Sequence, residues 1–183
     1  MSGVLTDRNL LWAKRAAVHY LGTYSSSVDG LRKTIARRAG RRFEGITEEE
    51  AGQLVEAAVS FCVSNGFVND ETYAESRVAA GLRKGHSRRR IAADLTDKGV
   101  AKEVAMSAIG EADDTVAAIT FARRRRIGPW RTKELDTKQR QREAAAFARN
   151  GFSGDTAYKV IAMDADEAED VFYLGTSRVE PRT

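Results

Sequence analysis

The sequence predicts an all-α protein, an elongated array of three tandem three-helix repeats. Three observations predict it. Only two prolines occur in 183 residues, and neither lies between residues 1 and 128. Proline breaks helices, so a long proline-free stretch favours them. No run of five or more residues alternates in the manner of a half-buried strand. Finally, 91–109 (IAADLTDKGVAKEVAMSAI) and 143–161 (EAAAFARNGFSGDTAYKVI) align without a gap. Leu95 then matches Phe147, Gly99 matches Gly151, Val100 matches Phe152, Ala105 matches Ala157, and Ile109 matches Ile161. Each stretch reads as a helix, a Gly–apolar corner and a second helix.

The elements follow in order. A first helix is expected over 8–22, with Leu11, Val18 and Leu21 on one side. TYSSS at 23–27 reads as a turn. Val28, Leu31 and Ile35 mark the second helix, and GRRFEGI at 40–46 reads as a loop. Thr47 with Glu50 forms a capping box. The helix it opens carries Ala51, Leu54, Val55, Ala58 and Cys62 at helical spacing and ends at Gly66. Asp70 is expected to cap the next helix, over 71–84. Gly85 stops that helix, Ser87 caps another carrying Ile91 and Leu95, and Gly99 stops it in turn. Helices around Val104–Ile109, over 114–127, over 137–150 and from Ser153 to Ile161 complete the repeats, with a break at Gly128–Pro129–Trp130. An acidic helix over 164–174 is last. The stretch 28–62 fits the repeat plan with a longer corner. The expected division is 1–66 (N-terminal helices and a divergent first repeat), 67–112 (second repeat), 113–163 (third repeat) and 164–183 (acidic helix and tail). Such units bury their apolar stripes against themselves and their neighbours.

Composition excludes several classes. About 42% of residues are hydrophobic, enough for a modest core. Cys62 is the only cysteine, so an internal disulfide framework and a Cys-rich zinc site are both ruled out. It lies on an apolar stripe and reads as a core residue. Asp7, Arg8, Lys14 and Arg15 interrupt any apolar leader, and no apolar run approaches a membrane span. A cytoplasmic protein with no membrane partner is expected. Catalysis needs a nucleophile with a base, paired carboxylates, a metal cluster or a phosphate cradle. Neither GxxxxGK[ST] nor GxGxxG occurs. His86 adjoins Ser87, but chain neighbours do not aim at each other, and helix capping explains the serine. His19 is expected to be half-buried or at an interface. No catalytic residue, cofactor or metal is expected.

The net charge is +4, but its distribution is uneven. Segment 81–100 holds six Lys/Arg against two Asp, and 120–142 holds nine against two acids. Segment 164–170, DADEAED, holds five acids and no base. Concentrated positive charge suits a polyanion or an acidic protein surface. Four consecutive arginines repel one another, and a helix by itself gains nothing from them. The candidate partner- or nucleic-acid-binding residues are Arg83, Lys84, Arg88, Arg89, Arg90, Lys98, Arg123, Arg124, Arg125, Arg126, Arg131, Arg140 and Arg142. The segment LRKGHSRRR is expected to be the most sensitive, because its charges surround a glycine corner and a helix N-terminus.

One ordered set of residues is similar to a known family. Gly66-Phe67-Val68-Asn69-Asp70, then Tyr73-Ala74, then Lys84-Gly85-His86-Ser87, Ile91, Leu95 and Lys98-Gly99-Val100 resembles the core signature of the RecX regulatory proteins, modulators of the RecA recombinase. The resemblance covers roughly 17–161 and is strongest over 66–109. It implies an all-helical repeat protein that binds in the groove of a RecA–DNA filament. There it would inhibit ATP hydrolysis, strand exchange and co-protease activity, with consequences for DNA repair and the SOS response. Single- and double-stranded DNA would be weak, sequence-tolerant partners, and a monomer is expected. The first repeat departs from the pattern at LGTYSSSVDGLRKTI and AGRRFEG. The four-arginine run, GPWR and the acidic tail have no counterpart in it.

The alternative is a helix-turn-helix transcriptional regulator, with Gly99 at the turn. Its second helix would enter the major groove. That helix reads AKEVAMSAIGEADD and lacks the Arg, Asn or Gln set that reads base edges. The positive charge lies on the preceding helix and loop, which suits phosphate or protein-surface contact.

Overall fold

A computed structural model describes residues 4–110, 113–132 and 134–177, with side chains through 175. Among the described residues there are ten α-helices, one 3₁₀ turn and no strand. The helices are α1 (Asp7–Leu21), α2 (Val28–Arg42), α3 (Glu48–Ser64), α4 (Asp70–Arg83), α5 (Arg88–Asp97), α6 (Lys102–Ile109), α7 (Thr115–Arg125), α8 (Thr137–Arg149), α9 (Gly154–Ala162) and α10 (Ala165–Ser177). The 3₁₀ turn is Gly128–Trp130. The chain is all-α, and its helices run as three successive triplets followed by α10.

Local chemistry accounts for most boundaries. Thr47 and Glu50 make the reciprocal capping box that opens α3. Ser27, Ser87 and Ser153 each accept a first-turn amide and open α2, α5 and α9. Gly66, Gly85, Gly99 and Gly151 all have positive φ, the conformation that ends a helix at least cost in glycine.

Several expectations are corrected. Asn69, not Asp70, caps α4 by accepting the Thr72 amide at 3.0 Å. Asp70 instead accepts the Val28 amide at 2.8 Å. Residues 40–42 belong to α2, so the loop after it is shorter than expected. Leu11 and Val18 are exposed, and α1 buries Ala13 and Ala17 instead. Small residues there let α1 approach α3 closely. His19 is exposed.

The chain forms two compact units: Met1–Ala74 with Leu95–Ala105, and Glu75–Asp94 with Met106–Thr183. The first is cored by Leu31, Ile35, Leu54, Val55, Val59 and Cys62. The second is cored by Ile119, Phe121, Phe147, Phe152, Val160 and Ile161. In it Phe121, Phe147 and Phe152 meet with ring centroids 5.2–5.7 Å apart. The residues matched in the sequence are buried in pairs: Leu95 and Phe147, Val100 and Phe152, Ala105 and Ala157, Ile109 and Ile161. One matched pair differs in kind. Ile91 and Glu143 are both buried. The Glu143 carboxylate accepts from the Gly128 amide, Arg131 and Gln139.

Each unit contains the same joint. In the first, the Ser27 hydroxyl donates to the Lys98 carbonyl, and the Val28 amide donates to Asp70. A side chain on Gly99 would overlap Asp29. In the second, Ser87 donates to the Asn150 carbonyl at 2.7 Å and the Arg88 amide donates to Asp114 at 2.8 Å. A Cβ on Gly151 would stand 2.5 Å from the Ser87 Oγ. In both, a capping serine holds the carbonyl just before a positive-φ glycine, and an aspartate near the start of a later helix holds the first amide.

Candidate anion-binding corner

The second unit gathers three helix ends. Gly85, between α4 and α5, has φ +73°, and a Cβ there would lie 2.7 Å from the Phe121 amide nitrogen of α7. Only glycine lets the chain turn and sit against that backbone. The corner is thereby seated on α7. The Arg124 guanidinium, near the end of α7, donates to the Lys84 carbonyl at 2.9 Å. Two basic segments of the predicted set, 83–90 and 123–126, are thus joined at one carbonyl.

The candidate residues are not equivalent. Arg83, Lys84, Arg89 and Arg90 are exposed, and Arg88 is half-buried. Arg88 directs its guanidinium to the Gly110 carbonyl. Arg90 donates to the Asn150 side chain at 2.8 Å. Arg83, Lys84 and Arg89 form no ion pair within the described residues. Around the corner, burial lowers the His86 pKa below the usual histidine range, with Arg90, Lys84 and Arg124 pushing the same way against Asp94. Burial raises the Asp114 carboxyl, against the Arg88 amide and charge that stabilise its ionised form.

The four-arginine run has a local reason that its sequence concealed. Arg123, Arg124 and Arg125 occupy the last turn of α7, where cations complement the helix dipole. The helix therefore gains from them, contrary to the expectation. Arg126 takes the left-handed cap position at φ +53°. Arg123 lies over the Trp130 ring and pairs at 3.9 Å with Glu169 of acidic α10, while Arg125 lies over Phe121.

The remaining candidates lie apart from the corner. Arg131 is mostly buried, pairs with Glu143 at 3.2 Å and also donates to the Ile161 carbonyl. Its charge serves the core of the module. Arg140 and Arg142 are exposed on α8. Lys98 is exposed and belongs to the other compact unit. Arg37 and Arg41, in the RRAGRR string, are exposed on α2 and lie outside the candidate set. No group of three or more metal-ligating side chains occurs among the described residues.

Fold and surface together define an all-helical, repeat-built protein that presents fixed positive charge. Comparison with known proteins makes the class specific. A family model described as "RecX, second three-helix domain" matches residues 69–109. Regulatory protein RecX of Agrobacterium fabrum is 43% identical over 166 residues, covering 91% of this chain and 90% of that protein. Regulatory protein RecX of Myxococcus xanthus is 39% identical over 157 residues, covering 82% and 84%. A crystal structure of RecX from Lactobacillus salivarius superposes with a TM-score of 0.67 at 16% identity, covering 90% of this chain and 99% of that one. The chain belongs to the RecX family of regulatory proteins.

Proposed function

We propose that this protein is a non-enzymatic regulator that binds RecA–DNA filaments and inhibits RecA's ATPase, recombinase and co-protease activities. The observation that carries this reading is the convergence of the α4, α5 and α7 ends on Gly85, with Arg83, Lys84 and Arg89 exposed and free of ion pairs among the described residues. A polyanion or an acidic filament surface would meet those charges together with the α5 N-terminus. Contacts of this kind position a protein without reading bases, so isolated DNA is bound weakly and without sequence preference. The protein acts in the cytoplasm as a monomer. No described helix is long and apolar enough to cross a membrane.

The test is RecA ATPase on single-stranded DNA with and without this protein. Inhibition that weakens in the Arg83→Gln/Lys84→Gln/Arg89→Gln variant is expected, while a Lys98→Gln/Lys102→Gln variant retains most of it. Equal inhibition by both variants would move the contact elsewhere, and no inhibition by the unaltered protein would remove the reading. A strong preference for one duplex sequence at physiological salt would support a transcriptional regulator instead.

A further inference from the structure

An open groove of about 290 Å³ runs between α8 and α9. Ala144, Ala145 and Ala148 of α8, Phe152 of the corner and Tyr158 of α9 line it. Tyr158 is 52% exposed, although it is the largest side chain of α9. A large aromatic beside alanines leaves apolar surface available for a partner. The surroundings are strongly positive. On α8 and α9 the exposed charges are Lys138, Arg140, Arg142, Arg149 and Lys159 against Asp155 alone. Arg142 precedes Ala145 by three residues and Arg149 follows it by four, so both flank the groove along one helix face. None of these five cations forms an ion pair among the described residues. The other acid of α8, Glu143, is buried and held by Arg131, Gln139 and Gly128.

We infer that the α8–α9 groove is a docking site for an acidic amphipathic helix of a protein partner, whose large apolar side chains would pack on the alanines against Tyr158 while its carboxylates meet Arg142 and Arg149. Small side chains on the floor let a helix approach closely, as in helix-in-groove recognition. Charge complementarity selects the acidic partner. A nucleic acid fits less well, because the alanine floor offers a base edge no hydrogen-bonding group. The Ser153 hydroxyl is already engaged with Thr156. This inference stands apart from the RecA reading, which rests on the Gly85 corner.

The experiment is fluorescence anisotropy of the full chain with a labelled helical peptide carrying Glu on one face and Leu at i, i+4 and i+7. A scrambled peptide of the same composition and an oligo-dT strand serve as comparisons. The ordered peptide should bind more tightly than the scrambled one. Tyr158→Ser and Arg142→Gln/Arg149→Gln should each weaken it at least about fivefold, the scale of an aromatic or arginine anchor. Both variants change exposed side chains, and circular dichroism checks that they remain helical. The Arg83→Gln/Lys84→Gln/Arg89→Gln variant should bind the peptide as the parent does, whatever its effect on RecA. Failure of the ordered peptide to bind, equal binding of the scrambled peptide, or unchanged affinity in Tyr158→Ser would overturn the inference. So would displacement of the peptide by oligo-dT that is lost in Tyr158→Ser, which would assign the groove to nucleic acid.

Discussion

The start of α2 and the start of α5 are held by the same three features and carry opposite charge. At each, a buried serine caps the helix and reaches a carbonyl far along the chain, an aspartate receives the first amide, and a glycine corner packs alongside. The first turn of α2 carries Asp29, which suits the positive end of the helix dipole. That of α5 carries Arg88, Arg89 and Arg90 and no acid. Two of these arginines find backbone or amide partners, and Arg89 finds none among the described residues. The joint therefore does not require the cations, since the first copy stands without them. In the second copy Arg88 and Arg90 are tied within the chain, and Arg89 is the one that the proposed function assigns to a partner.

The comparison can be broken most severely at Gly85. Gly85→Ala combines a positive φ with a clash against α7 backbone and should cost about 2–4 kcal/mol of stability, read as a fall in Tm. The paired substitutions Ser27→Ala and Ser87→Ala test whether the joints are energetically alike. Each removes a helix cap and strips a carbonyl of its donor, so each should cost about 1–3 kcal/mol by denaturant unfolding. A large difference between them would show that the shared geometry hides unequal roles.

The charges should separate from the joint when removed alone. Arg83→Gln/Lys84→Gln/Arg89→Gln should change stability by no more than about 0.5 kcal/mol, because the sites are exposed. The same change should reduce the slope of log affinity against log salt for DNA by up to about 3. Asp29, at the acidic joint, provides the mirror test: Asp29→Asn should leave DNA affinity nearly unchanged.

The smallest effect concerns His86. Its depressed pKa means that the folded state favours the neutral ring. Its contribution to stability is full above the ordinary histidine value and declines as pH falls through the lower folded value. A bound polyanion would offset Arg90, Lys84 and Arg124 and raise that pKa. Titration of the His86 ring signals by NMR, with and without oligo-dT, should show an upward shift. An unchanged value would place the anion away from the corner.

Helix capping, glycine corners and the repeat between 91–109 and 143–161 were legible because each depends on residues a few positions apart. Ser87 and Thr47 accept the amides of Arg90 and Glu50, three residues on, so their types and spacing suffice to announce helix starts. Where capping was misassigned, the competitor came from afar: Asp70 was drawn to Val28, 42 residues away, and left the cap to Asn69. The α1 face was misread because Leu11 and Val18 were weighted above Ala13 and Ala17, whereas close helix packing favoured the smaller pair.

The sequence by itself determined an all-helical chain, its family signature and the places where positive charge accumulates, since periodicity and caps are properties of neighbouring residues. Tertiary structure alone decided which of those charges remain available. Arg131 is bound to Glu143, Arg88 to the Gly110 carbonyl, Arg90 to Asn150 and Arg124 to the Lys84 carbonyl. Among the described residues, Arg83, Lys84 and Arg89 are left without such ties. The reason is that a guanidinium is neutralised by whatever acceptor folding brings within hydrogen-bond reach, and for Arg90 that acceptor lies 60 residues away.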